Sequence, residues 1–259
     1  MANEFDIDNE VEHRLKWNWL VKWRMISMLN KTIDLAENSL KDDARFLQGA
    51  KDEKNRQQEY MNTANDEEKR AKHEFMYKKQ CELEMIFNLI GFVDINSIDI
   101  CLLSQKMIKA KSKWSRNLYA RYAYMLMYEL TEDVTQFLNK KTKKEVEQIC
   151  CIRQIVDTMK DQGLESELNK TSAVWNSFWN KIGTKGRNYS RIRNTSTAHR
   201  DHDFLEQYQT MTTISWGSAF EDISEFNIMY TILRGFLHVF MIKYSEKYNH
   251  DVEMLLKKH

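Results

Sequence analysis

A chain of 259 residues with no proline and only seven glycines has few ways to turn. Sheet-rich folds place Gly and Pro in their many tight connections, because those residues supply the backbone angles that turns need. Their scarcity here predicts long helices joined by few loops. The apolar spacing agrees: Val11, Leu15, Trp19, Val21, Met25, Met28, Leu29, Ile33 and Leu40 recur at the helical period. Residues 50–74 are nearly devoid of large apolar groups and read either as a solvated helix or as a connection broken at "NTAND". Apolar spacing resumes over 75–90, with Gly91 as the expected stop. A shorter helix is expected over 94–110, with Asp94 or Asn96 as N-cap. Further helices are expected over 112–139, 143–160, 164–182, 204–213 and 215–248. The sum is an all-α multi-helix bundle, with residues 1–92 as a long-helix region packing on a bundle of residues 93–259.

The rest of the composition narrows the class. Charged residues make up 30% of the chain with both signs mixed, and 42% is hydrophobic. This describes helices with solvated outer faces and a real core. Neither a run of eighteen apolar residues nor a signal-like apolar segment is seen, which predicts a cytoplasmic protein without a membrane span. Cys81, Cys101, Cys150 and Cys151 have no metal-binding spacing, and the adjacent pair is a poor disulfide framework. They read as reduced thiols.

Net charge is only +1, so any case for a polyanion must be local. Two segments supply one. From Leu168 to Arg200 there is no acidic residue, while Lys170, Lys181, Lys185, Arg187, Arg191, Arg193 and Arg200 are present. From Ile100 to Tyr128 there is again none, and Lys106, Lys109, Lys111, Lys113, Arg116 and Arg121 alternate with Trp114, Tyr119, Tyr122, Tyr124 and Tyr128. Either the two segments form a positive surface, or acids from other helices cover them.

Within the first segment lies "RIRNTSTAHRDHD", residues 191–203. On one continuous helix Arg193 and His199 stand roughly 120° apart and share no face. "NTST" is poor in helix formers and rich in capping side chains, so a bend, or a second copy of the chain, is needed to join the pair. Histidine titrates near neutrality and can take a proton from a ribose 2′-hydroxyl. Arginine presents a permanently charged fork to phosphate oxygens, and Asn194 is placed to orient either group. The bland alternative is that Arg193 pairs with an acid and His199 sits at a helix end. His199, His202 and Asp203 have helical spacing for a metal, but no further ligand accompanies them, so neither metal nor cofactor is expected. No phosphate-binding glycine loop or nucleophile elbow is present.

The motif Arg193-Asn194-x4-His199, followed by Arg200 and Asp201 and by a final long helix, resembles the signature of the HEPN superfamily. The resemblance spans roughly residues 95–245 and rests on the motif and the helix order. It implies a helical bundle of HEPN type with an N-terminal helical extension. It also implies a homodimer whose two motifs meet in one cleft, and metal-independent endoribonuclease activity leaving a 2′,3′-cyclic phosphate. Arg193, Asn194 and His199 are the implied catalytic residues. Lys185, Arg187, Arg191, Arg200 and His202 are the expected RNA contacts. The implied settings are phage defence or a toxin–antitoxin pair, with an antitoxin or nucleotidyltransferase as partner. Some members of the superfamily lack the activity, which leaves a silent RNA-binding or protein-interaction module as the alternative.

Overall fold

The computed structural model describes residues 13, 19–139, 152–182, 189, 192 and 204–257. Among these every regular element is a helix. They are α1 (Trp19–Thr63), α2 (Glu67–Lys109), α3 (Lys113–Leu138), α4 (Ile152–Met159), α5 (Gln162–Asn180), α6 (Phe204–Thr213) and α7 (Trp216–Lys257). The all-α multi-helix expectation holds. Residues 50–63 belong to a solvated helix, and the chain breaks within "NTAND" as read. There the Asp66 carboxylate caps α2 by accepting from the Glu68 backbone N–H at 3.0 Å.

Gly91 does not stop its helix, and neither Asp94 nor Asn96 starts one, because α2 runs through all three. The physical reason is the unbroken apolar register. Leu89, Ile90, Val93, Ile100 and Cys101 are all buried, and one interior glycine costs only about 1 kcal/mol against that burial. The helix expected to end at residue 160 ends at Met159, and the next begins at Gln162. Lys160, in the left-handed region at φ 56°, follows the last residue of α4. Asp161 then caps α5 by accepting from the Leu164 N–H at 3.0 Å, so Gly163 lies inside that helix.

By contact the chain divides into two compact units, each drawing residues from both sides of position 92. Unit 1 comprises Met1–Glu37, Ile95–Thr135 and Ala173–Thr231. Its core includes Trp175, Phe178 and Phe226, with the Trp175 and Phe226 rings edge to face at 5.8 Å. Trp19 and Trp23 are 75% and 60% exposed in the single chain. Unit 2 comprises Asn38–Asp94, Gln136–Ser172 and Ile232–His259. In it Arg153 of α4 donates from Nε to the Leu138 carbonyl, at the end of α3, and from Nη1 to Asn169 of α5. One side chain thereby satisfies an orphan helix-end carbonyl and links three segments.

Among the described residues α2 alone is long and apolar enough to cross a membrane, with a window of mean hydropathy 1.7. Half of that window is buried within the protein. The same helix holds Asp94, fully buried, against Arg234 at 3.3 Å, an arrangement suited to a core helix. Among the described residues Cys81, half-buried, and Cys101, buried, form no disulfide; Cys150 and Cys151 lie outside the described residues.

Candidate functional site

The residues expected to carry chemistry, Arg193, Asn194 and His199, lie outside the described residues, as do Lys185, Arg187, Arg191, Arg200, His202 and Asp203. Two residues within the same stretch are described. Tyr189 and Ile192 are both helical and both buried in unit 1, at 0% and 8% exposure. Positions three apart share a helical face, and both of these are turned inward.

What receives that face can be followed atom by atom. The Tyr189 hydroxyl donates to Oδ2 of Asp222, which is itself fully buried on α7. Lys181, just after α5, pairs with the other Asp222 oxygen at 3.0 Å and with Glu225 one turn further on. Burial pulls the Lys181 ammonium down, but its bonds to Glu225 and Asp222 outweigh this and hold it above the ordinary lysine value. The Tyr189 ring meets Tyr124 of α3 edge to face at 4.3 Å, and the Tyr124 hydroxyl donates to the Ser215 carbonyl at 3.1 Å. Ser215 is the N-cap of α7, accepting from the Ser218 N–H at 3.0 Å. Tyr189 and the start of the last helix thus share one buried polar and aromatic network. Sequence reading missed this network. Its one available signal was Asp222, an acid on an otherwise apolar helix face.

The two basic segments fare differently. Lys181 is neutralised by acids of α7, as the covering alternative required for that position. In the second segment Arg116 stacks on the buried Trp216 ring at 4.8 Å. Tyr124 is core, and Tyr128 packs on Trp179 at 5.0 Å. Lys106, Lys109 and Lys111 remain exposed, as do Trp114 at 52% and Tyr122 at 43%. This half of unit 1 keeps exposed cations with two accessible aromatic rings beside them in sequence. Among the described residues no group of His, Cys, Asp and Glu has the arrangement of a metal site. Comparison with protein-family models, with curated proteins and with solved structures yields no match.

Proposed function

We propose that this protein is a metal-independent endoribonuclease of HEPN type, acting as a cytoplasmic homodimer in phage defence or in a toxin–antitoxin pair. The observation that carries the reading is the Arg193-Asn194-x4-His199 motif in an all-α chain, ahead of its long last helix. The buried Tyr189–Asp222 bond, whose Tyr189 lies four positions before Arg193 in sequence, supports it, since a reactive group is best placed next to packed structure. The exposed lysines of unit 1 support an RNA partner.

In this mechanism His199 takes the proton of a ribose 2′-hydroxyl, and the freed oxygen attacks the adjacent phosphorus. The bond to the 5′-oxygen breaks, and that oxygen takes a proton from the acid form of the partner's His199. Arg193 faces the phosphate oxygens as they gain charge. The products are a 2′,3′-cyclic phosphate and a 5′-hydroxyl. Asn194 orients the pair, while Lys185, Arg187, Arg191, Arg200 and His202 hold the flanking phosphates.

The test is a cleavage assay on mixed cellular RNA in excess EDTA. Wild type should cleave RNA and leave DNA intact. Arg193→Ala and His199→Ala should each lower the rate by about a hundredfold or more while preserving the helical circular dichroism spectrum. Equal cleavage by all three proteins removes these residues from the mechanism. Salt-sensitive RNA binding without cleavage by wild type makes the protein a silent RNA binder instead.

A further inference from the structure

Unit 2 contains a cleft of about 620 Å³ walled by α1, α2 and α7. Each helix turns a face of 3–4 spacing toward it, as elements do when they pack, yet the space between them is open. Part of the reason is written in α1, where Gly49 and Ala50 stand in succession. A Cβ placed on Gly49 meets nothing within 4 Å, so this position leaves room that any side chain would begin to fill.

The cleft is amphipathic along its length. Its middle is apolar, lined by Phe46, Phe87, Ile90, Leu237 and Met241. The Phe46 and Phe87 rings stack at 5.6 Å, and Phe46 keeps half its surface accessible. One end is polar and carries Ser39, Asp43 and Arg234. From Ser39 to Ala50 the α1 wall rises about 16 Å, enough for a chain of eight to ten carbons.

The charges at the polar end do not cancel. Arg234 is matched by the fully buried Asp94 at 3.3 Å, and its Nη2 donates to Ser39. Arg45 is matched by Asp42, also at 3.3 Å, with both side chains exposed. Asp43 accepts one hydrogen bond from Ser39 at 2.9 Å and has no ion pair among the described residues. Burial holds its carboxyl above the ordinary aspartate value, against the opposing pull of Ser39 and Arg234. After the two pairs are set aside, one carboxylate remains beside an accessible aromatic pair. The carboxylate attracts an ammonium group by charge, while the aromatic pair, whose Phe46 ring already carries the Arg45 guanidinium at 5.3 Å, gives apolar contact to the body of such a ligand.

We propose that this cleft binds a small organic cation: an ammonium headgroup at Asp43 carried on an apolar body lying along Phe46 and Phe87. The site is independent of the Arg193–His199 motif, so its test stands whatever the nuclease assay shows. An isosteric series isolates the charge. Isothermal titration calorimetry of the full chain with n-octylammonium, n-octanoate and n-octanol should show the cation binding at least about tenfold more tightly than either analogue. Asp43→Asn should abolish that preference while leaving the melting temperature near wild type. Gly49→Trp should weaken all three, with Gly49→Leu as the milder filler if the larger ring disturbs folding. Octanoate binding as well as octylammonium overturns the proposal, as does an octylammonium titration without heat up to about 10 mM. Retention of the cation preference in Asp43→Asn also overturns it.

Discussion

Cys101 shows how a single buried group couples to pH. Its thiol is fully buried, and burial raises its pKa from 9.0 to about 11. A group with a raised folded pKa keeps its proton in the folded chain at pH values where the unfolded chain has lost it. Its contribution is therefore complete below about pH 9 and declines between pH 9 and 11, by about 2.7 kcal/mol in all. Urea titrations from pH 8 to 10.5 should show wild type losing roughly 2 kcal/mol of stability relative to Cys101→Ala. Parallel curves for the two proteins would count against the burial account. At this scale legibility was uneven. Arg193 and His199 could be singled out because their chemistry is local to a short string. The Tyr189–Asp222 bond next to the string in sequence joins residues 33 positions apart, and no local pattern announces such a pairing.

Helix α2 carries the clearest difference between sequence expectation and fold. A glycine after an apolar run reads as a stop, because glycine commonly closes helices in the left-handed conformation. Gly91 instead lies mid-helix without a positive φ, and a Cβ there would meet Leu40 Cδ2 at 3.8 Å, an ordinary contact. Gly91→Ala should then stabilise the protein by about 0.5–1 kcal/mol, by reducing the freedom of the unfolded chain. Thermal melting reads the effect directly, and a lower melting temperature would restore the helix-stop interpretation. The absence of proline and the 3–4 apolar spacing made most of the helices legible, including the break at Ala64–Asp66. Helix ends were less legible where burial overrides propensity. Asp94 looked like an N-cap because aspartate favours caps, yet it sits in the interior of α2 paired with Arg234, which is 140 positions away in sequence (234 − 94).

For the molecule as a whole, a net charge of +1 conceals an uneven distribution. Lys106, Lys109 and Lys111 end α2 and follow it, where cations also complement the helix dipole. If RNA is the partner, replacing all three with Glu should weaken binding and flatten the salt dependence of log K by roughly 2. An unchanged slope, measured by fluorescence anisotropy across a salt series, would assign these lysines to the helix end alone. Distances along the chain also set the order in which the cleft of unit 2 is assembled. Its α1 and α2 walls are neighbours in sequence and can meet once the turn at Ala64–Asp66 forms. The third wall begins at Arg234, 195 positions after Ser39. On the ribosome the apolar inner face of the α1–α2 hairpin is therefore made long before its cover. That interval of synthesis, more than any state of the finished fold, is when nascent chains of this protein are most prone to stick to one another.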